Sequence, residues 1–214
     1  MCYTVKINYT REELEKRFGI VTGEDSKYVS GDRISAFSLP LMPVISSDQP
    51  HTIKIMTWGL IPFWIRDQKN ADEIRKKTFN AKCETLAEKP AFRTSYRGKR
   101  CIIPVNGFYE WQTLDKLKIP YYITLKHQPL IALAGLYDIW TNKETGEVIN
   151  TFTIITTRAN AMMEEIHNLK KRMPVILHPG NESKWLNVQT DPYKEKIFEP
   201  YDQNMMEAIE LAKS

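Results

Sequence analysis

Two polar residues stand in apolar surroundings within one stretch of the sequence, residues 78–111. Asn80 follows a phenylalanine, and Glu110 lies between Tyr109 and Trp111. A carboxyl group among aromatic side chains loses water, so Glu110 is expected to hold a proton close to neutral pH and to exchange it in catalysis. A glutamate at the rim of a sheet fits the same residues, and the spacing alone does not separate the two interpretations.

A second chemical group lies at the start of the chain, where Cys2 follows Met1. Initiator methionine is usually removed when the second residue is small, and its removal would leave an α-amine and a thiol on Cys2. Both groups are partly nucleophilic near neutral pH. Such a β-aminothiol can attack an aldehyde through nitrogen and then close a five-membered ring through sulfur. The alternative is that Cys2 only begins a buried strand, residues 2–7.

His167 is the remaining candidate for proton transfer. It stands at the end of a predicted helix, residues 158–166, where the helix dipole favours a protonated imidazole. The basic run that follows contains Lys171 and Arg172, which could hold phosphates. A single histidine is more often a bystander on the surface or in the core, and sequence spacing does not place it beside Glu110.

Basic and aromatic residues are interleaved in residues 92–100, which include Arg93, Arg97 and Arg100. Positive charge suits phosphates and aromatic rings suit bases, so this pattern is typical of a surface for single-stranded nucleic acid. A solvated helix or loop with a few cations is the simpler alternative.

Two tryptophans, Trp58 and Trp64, occupy a segment in which glycine and proline exclude a regular helix. Tryptophan rings in a loop either fill the core or offer a surface on which bases stack. A core position is favoured for at least one of the two, and both are kept as candidate base contacts.

The composition is that of a soluble globular protein. The chain has 214 residues, with 42% hydrophobic and 26% charged residues, which favours one domain with ample material for a core. Its net charge of +4 permits an anionic partner. Three cysteines, an odd number, argue against a disulfide framework, and no apolar segment approaches the length of a membrane span. The cytoplasm is therefore the expected location.

Common ligand motifs are missing from the sequence. There is no Cys-x-x-Cys or His-x-x-x-His pair, no phosphate-binding loop, no dinucleotide fingerprint and no serine nucleophile elbow. We therefore expect no metal and no cofactor. The reactive groups that remain are those of Cys2, Asn80, Glu110 and His167.

The predicted elements are many short strands with scattered helices. Residues 10–13 form a capping box that opens a helix, residues 151–157 form the clearest strand, and residues 205–213 are expected to form an amphipathic helix. That strand and Trp111 are expected in the core. The regular alternation of helices and strands typical of a parallel sheet is missing. The predicted fold class is therefore α+β, built on a bent, barrel-like, mostly antiparallel sheet with peripheral helices.

Six motifs occur in an order that resembles one known family. They are Met1-Cys2, Trp58-Gly59-Leu60-Ile61-Pro62, Asn80-Ala81-Lys82-x-Glu84-Thr85, Arg100-Cys101-Ile102-Ile103-Pro104, Gly107-Phe108-Tyr109-Glu110-Trp111, and His167 followed by Arg172-Met173-Pro174-Val175-Ile176-Leu177. Together they are similar to the SRAP family, the SOS-response-associated peptidase-like proteins that process abasic sites. The resemblance extends over residues 2–185 and leaves 186–214 as a helical extension of a single domain, residues 1–214.

The resemblance implies a protein that binds single-stranded DNA and crosslinks covalently to abasic sites, shielding the lesion in the DNA damage response. Cys2 would form a thiazolidine with the ring-opened sugar. Asn80 would orient the N-terminal residue or the sugar, Glu110 would act as general acid and base, and His167 would shuttle protons. A monomer without metal, cofactor or membrane is implied. The residues expected to contact DNA are Lys82, Arg93, Arg97, Arg100, Trp58, Trp64, Lys171 and Arg172.

Three departures from the usual family pattern concern the DNA contacts. Tyr3 and its neighbour replace a glycine-arginine pair, so Tyr3 is expected to stack where an arginine would meet the DNA backbone. Lys82 replaces an arginine and supplies a point charge without the bidentate fork. An extra segment, residues 169–171, follows His167 and changes its spacing from the next arginine.

Two other functions remain open at the level of sequence. Cys2 could be the nucleophile of an amidohydrolase or self-processing peptidase, with its own amine as base. Alternatively, the protein could be a binding module for single-stranded nucleic acid in which Cys2 is incidental and binding is salt-sensitive. Three observations distinguish these functions. A crosslinking protein forms an adduct with an abasic oligonucleotide, a self-processing peptidase removes its own Met1, and a binding module binds equally well with and without an aldehyde on the oligonucleotide.

Overall fold

Two β-sheets make up most of the protein in the computed structural model, which describes residues 2–22, 28–115 and 117–212. Thirteen strands lie in this part of the chain: β1 (Thr4–Ile7), β2 (Gly31–Ser35), β3 (Leu41–Ser46), β4 (Gln49–Trp58), β5 (Asn80–Lys82), β6 (Arg100–Val105), β7 (Gly107–Leu114), β8 (Leu117–Leu125), β9 (Ile131–Thr141), β10 (Val148–Arg158), β11 (Arg172–Pro174), β12 (Ile176–Leu177) and β13 (Met206–Glu210). The α-helices within the same ranges are α1 (Arg11–Phe18), α2 (Gln68–Arg75), α3 (Arg93–Gly98), α4 (Ala161–Ile166) and α5 (Glu182–Leu186).

The larger sheet closes into a barrel. Its central strands follow the order β10-β4-β3-β6-β9, and β9 pairs again with β10, so the five strands form a ring. The pairing of β4 with β10 is parallel, and the other four pairings in the ring are antiparallel. Strands β5, β11 and β12 pair with the ring from outside it. The predicted barrel-like, mostly antiparallel sheet is confirmed.

The second sheet has five antiparallel strands in the order β13-β8-β7-β1-β2. A continuous core of buried apolar side chains joins it to the barrel, so the described chain forms one domain. Hydrophobic burial of this kind is the dominant favourable term in folding. The helices are short and peripheral, as the α+β prediction requires.

Strand β10 is the central element of the barrel. Residues 151–157 are all buried, which confirms that this strand belongs to the core. Trp111, in contrast, is only partly buried, and the prediction that it is a core residue was wrong. The reason is its place on β7: burial is complete from Gly107 to Glu110 and then declines as the strand runs out toward its hairpin with β8.

The helix boundaries follow the local capping signals in part. The capping box is confirmed, because the Thr10 side chain accepts from the Glu13 amide while the Glu13 carboxylate accepts from the Thr10 amide. The helix after β10 starts later than predicted: Arg158 pairs with Arg172 of β11, and α4 begins after Asn160, which is its N-cap. No helix within the described residues has the length and apolar character needed to span a membrane.

The C-terminal segment corrects the sequence prediction most clearly. Residues 206–210 form strand β13 instead of an amphipathic helix, pairing with the edge of β8 from Met206 opposite Leu125 to Glu210 opposite Tyr121. Met206 is buried while Glu207 is exposed, which fits the alternation of buried and exposed side chains along a strand. The same sequence also fits the spacing of apolar residues on one face of a helix. Backbone pairing with an open sheet edge decides between them. Residues 213–214 of the predicted extension lie outside the described residues.

Candidate active site

Cys2 lies two residues before the start of β1, the strand that pairs with the one carrying Glu110. β1 runs antiparallel to β7, with Thr4 opposite Tyr109. The Cys2 side chain is fully buried. Burial, reinforced by the nearby Glu110 carboxylate, raises the pKa of the Cys2 thiol well above its ordinary range. The thiol therefore stays protonated near neutral pH and needs a base before sulfur can act as a nucleophile.

Asn80 holds the backbone of Cys2 from the other sheet. It begins β5, which pairs in parallel with β10 so that Asn80 is opposite Ile154. Its side-chain Nδ2 donates a hydrogen bond of 2.9 Å to the Cys2 carbonyl oxygen. Its Oδ1 is buried and has no hydrogen-bond partner among the described residues. A buried acceptor of this kind is suited to a donor such as an amine or a hydroxyl.

His167 faces Glu110 across the site. Its Nδ1 is 2.7 Å from the Arg172 carbonyl oxygen, and its Nε2 is 3.9 Å from Glu110 Oε2. A carbonyl oxygen only accepts hydrogen bonds, so the short contact requires the hydrogen on Nδ1. This assignment directs Nε2 toward the carboxyl group, and the second partner of the ring fixes its orientation. Both residues are buried, which strengthens the electrostatic interaction between their side chains.

A pair of hydrogen bonds sets the position of His167 relative to β7. The Asn168 side chain accepts from the Thr113 amide at 3.1 Å and donates to the Thr113 carbonyl at 2.7 Å. This pair fixes the C-terminal end of α4 to β7 three residues beyond Glu110. Sequence reasoning missed both Asn168 and Thr113. Their only signal is a polar amide directly after the histidine, which is too common to be specific.

The extra segment, residues 169–171, leaves the contact between His167 and Arg172 intact. The His167 carbonyl accepts from the Lys171 amide at 2.8 Å, and Lys171 takes a left-handed backbone conformation with φ of 49°. The chain therefore loops outward with Leu169 exposed and returns at Arg172. The insertion changes the spacing in sequence without breaking the contact between the His167 ring and the Arg172 backbone.

The four candidate catalytic residues thus meet at the junction of the two sheets. Cys2 precedes β1 and Glu110 lies on β7 of the five-stranded sheet, Asn80 lies on β5 beside the barrel, and His167 follows α4. A thiol, a carboxyl group and an imidazole within one buried cluster can transfer protons to and from a substrate that reacts at Cys2. Among the described residues, no group of three or more His, Cys, Asp or Glu side chains has an arrangement suited to holding a metal ion.

Two of the predicted DNA contacts are wrong. Trp58 is fully buried, its indole N–H donates to the Phe79 carbonyl at 2.9 Å, and its ring stacks against Phe152, so no base can reach it. Arg100 is also buried. Its guanidinium group donates to the carbonyl oxygens of Asn187 and Thr190, which satisfies backbone acceptors in place of phosphates.

The other predicted DNA contacts lie at or near the surface. Arg172 is partly buried and forms two hydrogen bonds with the Glu84 carboxylate at 2.8 and 2.9 Å. It therefore organises the rim of the site through Glu84. The remaining residues are solvent-exposed and keep their cations or ring accessible; they are Lys82, Arg93, Arg97, Lys171 and Trp64.

The buried thiols predict a specific loss of stability in alkali. Burial raises the pKa of Cys101 well above its ordinary value of 9.0. Above that pH the thiol ionises in the unfolded chain but keeps its proton in the folded protein, so folding stability is complete below about pH 8 and falls as the pH rises. The slope reaches about 1.4 kcal/mol per pH unit for one thiol.

Urea unfolding at several pH values from 8 to 10 measures this slope. Cys101→Ala should show a shallower decline than the parent, whatever its stability at pH 7. The other two thiols contribute equally to both proteins and cancel in the comparison. Tyr137 does not cancel, because Cys101 helps to raise the pKa of Tyr137, and its change makes the decline of the variant shallower in the same direction. Identical slopes for the two proteins would contradict the assignment of the effect to Cys101.

Comparison with known proteins assigns the chain to one family. The family model described as SOS response associated peptidase (SRAP) matches residues 1–214. The chain belongs to the SRAP family, and the match extends beyond the residues 2–185 in which the sequence motifs lie. The matched range therefore includes β13.

Individual relatives agree with this assignment. The abasic site processing protein YoqW of Bacillus subtilis is 46% identical over 175 residues, covering 80% of this chain and 75% of that protein. The abasic site processing protein HMCES of Xenopus tropicalis is 34% identical over 169 residues, covering 69% of this chain and 49% of HMCES. A crystal structure of a Bacteroides thetaiotaomicron protein superposes with a TM-score of 0.93 at 38% identity, covering 99% of this chain and 92% of that one.

Proposed function

We propose that this protein captures abasic sites in single-stranded DNA through a covalent bond to Cys2, after removal of Met1. The observation that carries the proposal is the buried cluster around Cys2: its carbonyl is held by Asn80, and its thiol lies near Glu110, which faces His167. Relatives that bear the name abasic site processing protein support the choice of substrate. Met1 itself lies outside the described residues.

The proposed reaction conserves atoms and requires no oxidant or reductant. The ring-opened abasic sugar presents an aldehyde, and the α-amine of Cys2 adds to its carbonyl carbon. The resulting carbinolamine loses its hydroxyl as water, with a proton from a general acid, and becomes a protonated imine. The thiol then gives its proton to the conjugate base while sulfur adds to the imine carbon, which closes a five-membered thiazolidine. The net change is the release of one water.

Glu110 and His167 divide the proton transfers in this scheme. Glu110 gives a proton to the departing hydroxyl as water leaves, and the carboxylate that results takes the proton of the Cys2 thiol. This second transfer is needed because burial keeps the thiol protonated. His167 Nε2, 3.9 Å from Glu110 Oε2, exchanges protons with the sugar, and the proton taken from the thiol returns Glu110 to its starting state. Asn80 fixes Cys2 so that nitrogen and sulfur reach the same carbon.

Exposed aromatic and basic side chains support a single-stranded partner. Trp64 is 45% exposed and lines a groove with Arg66 and Lys77, and the acidic residues Asp67 and Glu73 line the same groove. Lys82 stands two residues beyond Asn80 and is exposed. Rings that stack with bases and cations that neutralise phosphates are the usual means of binding single strands. Binding before the chemical step should therefore weaken with increasing salt.

The decisive experiment uses an oligonucleotide with one abasic site. The protein should form an adduct that survives denaturing gel electrophoresis. Cys2→Ala should form no stable adduct, and protein carrying an extra residue before Cys2 should form none either, because its amine is displaced. Cys83→Ala, which removes another buried thiol, is the matched control and should crosslink normally. A Cys2→Ala protein that crosslinks as well as the parent would refute the assignment.

A second candidate is suggested by the word peptidase in the family description. In this proposal the domain removes its own Met1, with Cys2 as nucleophile and Glu110 assisting. Mass spectrometry of protein made without methionine aminopeptidase tests it. Loss of Met1 in the parent and retention in Glu110→Gln would support self-processing, whereas retention in both would exclude it.

A further inference from the structure

Three aromatic rings form a cluster at the edge of the candidate active site. Tyr3 is 5.2 Å from Phe37 and 6.2 Å from Phe79, and Phe37 is 5.3 Å from Phe79, measured between ring centroids. Tyr3 follows Cys2 in the chain, and Phe79 precedes Asn80. The cluster is therefore bonded directly to two of the four candidate catalytic residues. We call it the Tyr3–Phe37–Phe79 cluster.

Phe37 is the exposed member of this cluster. Its side chain is 68% exposed, whereas Phe79 is 2% exposed and Tyr3 is partly buried. One face of the cluster is thus closed by the core and the other is open to solvent. A single exposed apolar residue is ordinary on a protein surface. This one differs because its ring extends the wall of a buried reactive site.

Local structure holds Phe37 in this position. It is the middle residue of a 3-10 turn, Ala36–Ser38, whose N-cap Ser35 accepts from the Phe37 amide at 3.3 Å. The Ala36 amide donates to the Tyr3 carbonyl at 2.8 Å, which joins the turn to the residue after Cys2. The turn ends at Leu39 in a left-handed conformation with φ of 52°. The ring is therefore presented from a fixed backbone.

The charge around the cluster suits a nucleotide. Arg33, two residues before the cap of the turn, is exposed, and its guanidinium group lies 5.3 Å from the centroid of the Tyr109 ring. Lys82 is exposed three residues beyond Phe79. An aromatic face with cations on the adjoining strands is the combination that binds a base and its phosphate.

We propose that Phe37 and Tyr3 form a stacking platform for the base of the nucleotide next to the abasic one. This inference rests on the proposed function. An abasic sugar has no base, so nothing on the lesion itself can stack with the protein. Its aldehyde can be brought to the buried Cys2 only if the neighbouring nucleotides are held. A base stacked on the Tyr3–Phe37–Phe79 cluster would hold the neighbouring nucleotide there. Tyr3 is the residue after Cys2, and Phe79 is the residue before Asn80, so the nucleotide would be held next to the candidate site.

The test compares two oligonucleotides that share a single reactive abasic site. In the first, ordinary nucleotides flank the site; in the second, tetrahydrofuran spacers, which have neither base nor aldehyde, flank it on both sides. With the first, Phe37→Ala should raise the protein concentration for half-maximal crosslinking rate about 5- to 150-fold, the range expected for one stacked base. With the second, Phe37→Ala and the parent should be indistinguishable.

Matched variants keep the outcome interpretable. Phe37→Trp should retain the affinity of the parent for the first oligonucleotide. Val21→Ala removes an equally exposed apolar side chain, 69% exposed, that belongs to no part of the cluster, and it should have no effect. Thermal melting of each variant establishes that the fold is intact, as expected for an exposed ring.

The possible failures point to different conclusions. A parent protein that forms no adduct with either oligonucleotide overturns the proposed function and the platform with it. A parent that crosslinks normally while Phe37→Ala has no effect on either oligonucleotide overturns the platform alone. An equal loss on both oligonucleotides also overturns it, because the effect would then be independent of any neighbouring base.

Discussion

Glu110→Gln is expected to slow adduct formation about 10²- to 10⁴-fold, the range for loss of a positioned general acid or base. Glutamine has nearly the same size and shape, so the fold around β7 and the position of Cys2 should persist. It cannot donate the proton that departing water needs, and it cannot take the proton from the buried thiol. Both transfers in the proposed scheme therefore fail together.

Single-turnover kinetics with the protein in excess over a labelled abasic oligonucleotide measures this effect directly. The saturating rate should fall, while the protein concentration that gives half of that rate should stay unchanged. Glu207→Gln, an equivalent change on the exposed face of β13, is the control and should react like the parent. A saturating rate for Glu110→Gln close to that of the parent would remove Glu110 from the chemistry.

The same variant separates catalysis from binding. An oligonucleotide that carries a tetrahydrofuran analogue of the abasic site offers no aldehyde and can only bind. Its affinity should be equal for the parent and Glu110→Gln, because the carboxyl group is buried and lies beyond the proposed phosphate contacts. A large loss of affinity would indicate that Glu110 organises the binding surface. The slower adduct formation would then be attributed to weaker binding instead of lost proton transfer.

The features that could be predicted from the sequence are those that local interactions decide. The capping box of Thr10 and Glu13 forms within one helical turn, so its residues alone determine it. The β-branched and apolar residues of β10 suit a strand buried on both faces, and residues 151–157 are buried throughout. Barrel-like architecture followed from many short strands with few helical segments between them.

The errors fall where contacts distant in sequence decide the outcome. Trp58 ends β4 and Trp64 follows six residues later, yet the first is fully buried and the second is 45% exposed. The spacing of the two rings carries no information about which meets Phe152 of β10. In the same way, Arg97 is exposed and Arg100 is buried, because the carbonyls of residues 187 and 190 reach only the second.

The sequence could predict which residues belong to the candidate site but not that these residues lie close together in the fold. Carboxyl, imidazole, amide and thiol groups stood out by type, and family resemblance grouped them. Their proximity depends on the pairing of β1 with β7 and on the clamp between Asn168 and Thr113. Each of these contacts joins residues more than 50 positions apart in the chain, which no local pattern encodes.

Trp58→Ala is expected to lower the free energy of unfolding by about 3–5 kcal/mol, the usual effect of truncating a buried large aromatic side chain. The ring is fully buried and stacks on Phe152 at a centroid distance of 6.0 Å. Its removal leaves a cavity and also leaves the Phe79 carbonyl without the indole donor. Phe79 precedes Asn80, so the loss should loosen the contact that holds Cys2.

Urea unfolding monitored by circular dichroism, with the slope compared between variants, measures the change in stability. Trp111→Ala is the matched control: it removes the same side chain from a partly exposed position on β7, and we expect a loss of about 1 kcal/mol. Trp58→Phe should lie between the two, because it keeps an aromatic ring but not the indole N–H. If Trp111→Ala were as destabilising as Trp58→Ala, the core would extend to the outer end of β7, and the difference in burial between the two tryptophans would not explain their effects.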